Sequence, residues 1–448
     1  MQFEGKNILV VGAGKSGVAA ARFLSAEKAN VVLTDIKTAA ELPEAAALGV
    51  KTFFGAYPAV AGFDLVVVSP GVPTELEPLS EARMRGIEVT GELELAFSLT
   101  SAPVVAITGT NGKTTTTALT GEIFKSAGWR TVVAGNIGTP LISLVEGDVP
   151  PDVIVAEVSS FQLETTLLFR PRVAVVLNVT PDHLDRHRTI AEYAAAKARI
   201  FVNQEEGDAA VLNLDDPLTA AMKGQSRGVE LFFSRRHNLE SGACVRDGRL
   251  FFAHDGGPVE ICGAGEIGIP GAHNLENALA AVAAAGFMGV SAHVIAKTLR
   301  DFKGVTHRLE FVDDIDGVRY INDSKGTNPD AAIKALEAYD RPIVLIAGGR
   351  NKGSRFDDFA AKVKEKARVL VVLGESAEEI AAAASAAGVD LILRAKGFKE
   401  AVHLAREAAR PGDVVLLSPA CASWDMFRNY EERGELFKQT VREMAVPD

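Results

Sequence analysis

Between Ala106 and Leu119 the chain reads AITGTNGKTTTTAL. The segment leaves an apolar run through a glycine turn and enters a helical run. A strand ending in such a turn aims free backbone N–H groups and the positive end of a helix dipole at one spot, which suits an anion. The common triphosphate loop has a glycine, four residues, then Gly-Lys-Ser/Thr. The position for that first glycine is Ile107, and the glycine is Gly109 instead, so this loop is shortened. Its members are Gly109, Thr110, Asn111, Gly112, Lys113, Thr114 and Thr115. Lys113 is long enough to reach terminal phosphates, and the Thr114 hydroxyl is suited to a magnesium ion.

A second glycine motif, GAGKSG, places Gly12, Gly14 and Gly17 after the run NILVV, and Asp35 ends the next apolar run. By itself this is the dinucleotide fingerprint and argues for NAD. Yet the spacing reports only a pyrophosphate on a helix N-terminus, which any nucleoside diphosphate satisfies. Two phosphate loops in succession suggest two nucleotides, a triphosphate as energy source and a diphosphate as the handle of a substrate. Hydride transfer has no use for the triphosphate loop.

Other residues with chemical potential follow strands. Glu157, in AEVSSFQLE, ends an apolar run where a carboxylate suits a magnesium ion or the orienting of a water. NVTPDHLDRH carries Asp182, His183 and Asp185 off a strand end, the edge that ligands favour in doubly wound sheets. Lys197 follows three alanines in IAEYAAAKARIF. Helical lysines are mostly solvated, but small neighbours leave room for a tucked-in amine, and burial lowers its pKa. A neutral amine can act as a nucleophile or combine with CO₂ to give a carbamate, a carboxylate on a lysine's reach. INDSKGTNPDA and AGGRNKG offer Lys325 and Lys352, and LLSPACASWDMF ends a strand with two serines.

The elements that must position these residues alternate between β-rich runs and helical ones. NILVVG, NVVLTD, DLVVVSP and IEVTG form a first series, with a helix from Ser16 to about Lys28. APVVAITG, PDVIVAEVS, RVAVVLNVT and DAAVLNLDD form a second, followed by a hairpin with an Asp-Gly turn and a long alanine-rich helix. RPIVLIAGG, RVLVVLGE, DLILRA and GDVVLLSPA form a third. Continuous apolar runs suit parallel strands buried on both faces. The expected class is therefore α/β, with a Rossmann-like N-terminal domain at 1–92, a P-loop ATPase-type central domain at 93–299 and a Rossmann-like C-terminal domain at 300–448.

The 448 residues suit two to four domains of about 100–200 residues. A net charge of -11 disfavours a nucleic-acid or anionic-membrane surface. The three cysteines form no C-x-x-C pair, so neither zinc nor a disulfide framework is expected. No signal-peptide pattern opens the chain. The longest bland stretch, Ala278 to Val290, is too short for a membrane span of about 18 residues or more. A cytoplasmic protein without membrane insertion is expected.

GTNGKTTT, EVSSFQLE, NVTPDHLDRH, the AAAKARI lysine, PGAHNLENALAA, HRLE, NDSKGTNPDAA and LLSPACASWDMF lie in order along the whole chain. Together they resemble the Mur ligases. The D-N-P-R signature of the diaminopimelate-adding members is absent, and folylpolyglutamate synthases, similar in the central domain, lack a UDP-binding N-terminal domain.

The resemblance implies an ATP-dependent amide ligase of peptidoglycan precursor synthesis that joins D-glutamate to UDP-N-acetylmuramoyl-L-alanine through an acyl phosphate. It implies ATP on residues 109–115, with Asn274, Asn277, Arg308 and Asp323 around the nucleotide, and Lys113, His183 and Lys197 in catalysis. It implies two magnesium ions, one on Thr114 and Glu157, the other on His183 and a carbamylated Lys197. Ser16, Gly17, Asp35, Lys37, Ser69 and Gly71 would hold the UDP, and Asn136, Gln162 and His183 the sugar-peptide part. Thr327, Lys352, Ser423 and Phe427 fall where the family binds D-glutamate, and the family favours a monomer. Asn351 stands where many relatives have an acid, Arg355 follows it, and Lys37 matches only loosely. A Mur ligase with another acceptor, an NAD-dependent dehydrogenase and a non-catalytic UDP-sugar sensor are the competing readings.

Overall fold

The computed structural model describes residues 3–136, 138–145 and 149–445, with the side chain of Asp185 outside them. Three sheets follow one another along the chain. The first holds β1 (Asn7–Val11), β2 (Asn30–Asp35), β3 (Lys51–Phe54), β4 (Leu65–Val68) and β5 (Glu88–Gly91), all parallel, in the order β3-β2-β1-β4-β5. Ile8 to Val11 and Leu65 to Val68 are buried, as continuous apolar runs between two helical layers must be. The edge strand β3 escaped the sequence reading. Its KTFF is largely exposed, so no continuous apolar run marks it.

The second sheet has nine strands: β6 (Val104–Thr108), β7 (Thr131–Gly135), β8 (Val153–Glu157), β9 (Val173–Val176), β10 (Ala209–Asn213), β11 (Val229–Ser234), β12 (Gly242–Arg246), β13 (Arg249–Ala253) and β14 (Val259–Gly263). Their order is β14-β13-β12-β11-β10-β9-β6-β8-β7, parallel from β7 to β12. The last three run antiparallel, and β12 turns into β13 at Asp247 and Gly248, both at positive φ, as the expected hairpin requires. The alanine-rich helix Ala272–Phe287 packs beside Lys113–Ser126, its small side chains letting the two helices come close.

The third sheet contains β15 (Glu310–Ile315), β16 (Val318–Asn322), β17 (Ile343–Gly348), β18 (Ala367–Leu373), β19 (Ile392–Arg394) and β20 (Val414–Leu417), in the order β15-β16-β20-β17-β18-β19. The antiparallel hairpin β15–β16 was not expected, because charged and half-buried residues interrupt its pattern. Position 299 falls within the helix Ala292–Asp301. In every sheet the loops with chemical potential leave the carboxyl ends of parallel strands.

The helix Glu92–Leu99 follows the first sheet and grips the second unit through two buried acids. Glu94 accepts the N–H groups of Leu167, Leu168 and Phe169 at 2.9, 2.7 and 3.0 Å. Glu92 accepts the Ile142 N–H at 2.7 Å, while its other oxygen has no partner. Burial pushes the Glu92 carboxyl up to about 7, against the pull of the Ile142 and Leu141 amides. Between the ordinary carboxylate range and that value the folded chain binds more protons than the unfolded one, so this group's contribution to stability falls as pH rises. Glu92→Gln is expected to raise the thermal midpoint at pH 8, by ~2 kcal/mol in stability, and the gain should shrink toward zero by pH 5. Melting curves at the two pH values check this; an equal effect at both would refute it.

Candidate active site

The shortened loop lies between β6 and the helix Lys113–Ser126, whose N-cap is Gly112. Gly112 adopts φ 87°, and a Cβ there would lie 2.3 Å from Asn277 Oδ1, so the loop requires glycine twice over. Asn178, just past β9, clamps Asn111: the Asn111 N–H donates to Asn178 Oδ1 at 2.8 Å, and Asn178 Nδ2 donates to Asn111 O at 3.0 Å. The half-buried Lys113 folds back, its amine donating to Gly109 O at 2.7 Å and Thr110 O at 2.8 Å.

Lys197 is buried, and its amine donates to the same Gly109 carbonyl at 2.9 Å, lying 4.2 Å from the centre of the Tyr193 ring. Burial and the neighbouring Lys113 push its pKa well down, which favours a neutral amine. The tucked-in lysine suggested by its three alanines is thus present. Burial likewise lowers the Lys113 pKa, against the attraction of Glu157 and Asp182.

Glu157 ends β8 with Oε1 accepting from Asn136 Nδ2 at 2.9 Å and Oε2 buried without a partner. His183, at φ 54°, sits edge-on to Phe161. Burial pushes it down to about 4 although Asp182 pulls the other way, so its imidazole is neutral at pH 7. Asp182 receives Lys352 Nζ at 3.2 Å and Asn328 Nδ2 at 3.1 Å from the third domain. No group of three His, Cys, Asp or Glu gathers as a metal site among the described residues. The orphaned Glu157 oxygen and the buried Thr114 hydroxyl are nevertheless oxygen donors of the kind a hard divalent cation takes, and the neutral His183 imidazole keeps a lone pair for a metal.

Two cavities flank this group. One, narrow, lies between the loop and the third domain and is lined by Asn111, Thr115, Asn277, Arg308, Asp323 and Lys334, among others. Asn274 stands behind it, accepting from Asn277 Nδ2 at 3.1 Å and holding Pro270 O at 2.6 Å. Burial pushes Asp323 up to about 6, although Arg308 and the Ser418 hydroxyl favour its charged form. The other, larger, opens where the three domains meet: Lys15, Ser16 and Pro70 line it from the first, Asn136, Glu157 and Gln162 from the second, Lys325, Tyr430 and Glu431 from the third.

Within the first domain, the Asp35 carboxylate accepts the Ala13 and Lys37 N–H groups at 2.8 and 3.0 Å, bracing the glycine turn from below. Ser69 Oγ donates to Gly12 O at 2.7 Å. A Cβ on Gly17 would lie 1.8 Å from that same carbonyl, so the helix can pack here only as glycine. Lys37 and Gly71 are exposed beside the turn.

On the third domain, Ser423 is buried, Thr327 is half-buried, and Phe427 stands edge-on to Phe398. Sequence reading missed the residue that brings their loops together. Arg433, buried on the helix Tyr430–Ala445, donates to Ser324 O at 2.8 Å, Ser324 Oγ at 3.0 Å and Cys421 O at 3.3 Å. An arginine on a helix rich in charge gives no local sign of burial. Lys325, expected among the groups that could hold a small anionic substrate, lines the larger cavity; burial lowers it to about 8 although Glu157 favours its charge. Of the two departures, Asn351 closes its own turn with Ser354, donating at 2.9 Å and accepting at 2.8 Å. The Arg355 side chain is 89% exposed and pairs with Asp357, which keeps it out of the cleft. The side chain of Asp185 lies outside the described residues.

Three sheet-bearing domains, a glycine turn in the first and a shortened phosphate-type loop in the second that two lysines share, define a class, and comparison with known proteins agrees with it. Residues 6–91 match the MurD-like N-terminal domain of Mur ligases, 107–285 the Mur ligase middle domain and 307–421 the Mur ligase glutamate ligase domain. The chain belongs to the Mur ligase family. It is 62% identical over 445 residues to the UDP-N-acetylmuramoylalanine–D-glutamate ligase of Pelotomaculum thermopropionicum, covering 98% of each chain. A protein of the same description from Thermoanaerobacter pseudethanolicus is 50% identical, covering 99% of this chain and all of the relative. Among solved structures, the MurF ligase of Thermotoga maritima in complex with ADP shares the fold, with TM-score 0.62, 19% identity and coverage of 93% and 96%.

Proposed function

We propose that this chain is an ATP-dependent ligase that joins D-glutamate to UDP-N-acetylmuramoyl-L-alanine, with domains at 1–92, 93–299 and 300–448 for the UDP-substrate, ATP and the amino acid. The carboxylate of the UDP-linked substrate attacks the γ-phosphorus of ATP, releasing ADP and giving an acyl phosphate. The amine of D-glutamate attacks the acyl carbon, and the tetrahedral intermediate collapses to an amide and phosphate. The observation that carries this reading is the convergence of the Lys113 and Lys197 amines on Gly109 O, in the shortened loop whose Asn111 and Gly112 line a cavity facing the third domain.

Lys113 is placed to neutralise charge on the transferred phosphoryl group, the largest electrostatic demand of the reaction. Thr114 and Glu157 would hold one Mg²⁺, and His183 with a carbamylated Lys197 a second; the ions supply charge neutralisation on the phosphates. The UDP end rests on Ser16, Gly17, Asp35, Lys37, Ser69 and Gly71, and Asn136, Gln162 and His183 face the sugar-peptide. Asn274, Asn277, Arg308 and Asp323 frame the nucleotide. Thr327, Lys352, Ser423 and Phe427 receive the acceptor, whose two carboxylates call for a cation and hydroxyl donors. Enclosing the acyl phosphate between three domains keeps water from hydrolysing it. No helix among the described residues is long and apolar enough to cross a membrane, and we place the protein in the cytoplasm as a monomer.

The test is phosphate release from ATP with Mg²⁺ and UDP-N-acetylmuramoyl-L-alanine, against a panel of amino acids. D-Glutamate alone is expected to stimulate release strongly. Preference for another acceptor would reassign the third domain. No release, with nicotinamide reduction on a hydroxy acid, would overturn the ligase reading.

A further inference from the structure

We infer that Asp330 is a positioning residue that couples the seating of the third domain to the side chain at the apex of the nucleotide loop. The inference rests on the functional reading above. Asp330 lies in the first turn of the helix Pro329–Glu337, already capped by Asn328, whose side chain accepts the Ala331 N–H at 2.8 Å. The helix therefore does not need this carboxylate for its cap. Asp330 Oδ2 instead reaches across to the second domain, accepting from Asn111 Nδ2 and, at 3.2 Å, from Thr180 Oγ1. Lys334 Nζ, from the next turn and lining the nucleotide cavity, stands 3.2 Å from the same oxygen.

Both partners belong to the phosphate-loop assembly. Thr180 exchanges hydrogen bonds with Thr110: its N–H donates to Thr110 Oγ1 at 3.0 Å, and Thr110 Oγ1 donates back to Thr180 O at 3.1 Å. Asn111 is divided between two domains. Its main chain is set by Asn178 of the second domain, and its side chain by Asp330 of the third. Beyond the connecting helix Ala292–Asp301, the remaining side-chain hydrogen bonds between these domains, among the described residues, run from Asn328 and Lys352 to Asp182. Among the described residues, Asp330 thus makes the side-chain hydrogen bond of the third domain to the loop itself. When that domain swings away, Asn111 loses its side-chain acceptor, and the loop and domain position become one coupled event. The Asp330 side chain is 28% exposed, so its removal opens no sealed void.

The experiment compares the full-length wild type with Asp330→Ala, Asp330→Asn, Asn111→Ala and the Asn111→Ala/Asp330→Ala pair, measuring phosphate release against ATP concentration and the thermal midpoint. Asp330→Ala is expected to lose about tenfold in kcat/KM for ATP with an unchanged midpoint, the loss of one charge-assisted contact. Asp330→Asn, which keeps an acceptor oxygen for Asn111 and Thr180, should stay within about twofold. The pair should be no worse than Asn111→Ala, because the two side chains act as one unit. Wild-type turnover in Asp330→Ala, additive losses in the pair, or equal losses in both Asp330 variants with a lowered midpoint would each overturn the inference. Failure of the functional reading is separately visible as a wild type that releases no phosphate. The domain-seating claim is then read from X-ray scattering of the ligand-free proteins: a more extended Asp330→Ala supports it, and identical profiles refute it.

Discussion

Replacing Lys113 by alanine is expected to cut phosphate release by about 10³-fold or more while leaving the fold intact. The amine is already positioned by the loop that must hold the nucleotide, donating to Gly109 O and Thr110 O. Those carbonyls are weaker acceptors than a phosphate oxygen, so an arriving triphosphate draws the amine off the loop and onto the group being transferred. As charge builds on the transferred phosphoryl group, a preorganised cation stabilises the transition state more than the bound substrate. ATP affinity should therefore fall much less than kcat. Removing the amine leaves Asp182 with Lys352 and Asn328 as partners, and Glu157 with the Asn136 amide and the nearby charge of Lys325. Steady-state kinetics, calorimetric nucleotide binding and a melting curve check these points together. Near-normal turnover would remove Lys113 from the mechanism.

Lys197→Ala is expected to lower turnover by about 10²-fold or more and to recover in part when a small carboxylate such as acetate is added. The wild-type amine is buried against the Tyr193 ring and held by Gly109 O, in surroundings that favour its neutral form. A neutral amine beside the phosphate loop combines with CO₂ by losing a proton, which turns a lysine into a carboxylate. Truncation to alanine opens space beneath the loop where an added carboxylate can sit. Recovery by acetate but not by methylammonium would identify the missing group as an anion rather than an amine. Full activity in Lys197→Ala would discard the carbamate, and recovery by methylammonium alone would reassign Lys197 as a cation.

These two lysines differ in how legible they were. Lys113 announces itself because its neighbours in sequence are its neighbours in space: a strand, a glycine turn and a helix start within a dozen residues. Lys197 offered only three alanines as a hint of burial, since the carbonyl that binds it is 88 residues away. Asp330 lies 219 residues from Asn111, and Arg433 gathers loops 109 and 12 residues distant. Nothing in their immediate sequence marks them.

The same division holds for the fold. Continuous apolar runs reported most of the buried parallel strands, missing β7 and β11, and the Asp-Gly turn reported the β12–β13 hairpin. Strand β3 was invisible because a largely exposed edge carries no apolar run, and the hairpin β15–β16 because charged residues interrupt its pattern. By itself the sequence determined the α/β class, the two glycine turns and the residues they present, all set by local backbone preference and hydrophobic period. Only the tertiary structure decided which loops face one another, which lysines are stripped of water and where the third domain touches the nucleotide loop. Burial and Coulomb interaction depend on distance in space, and a chain states only distance along itself.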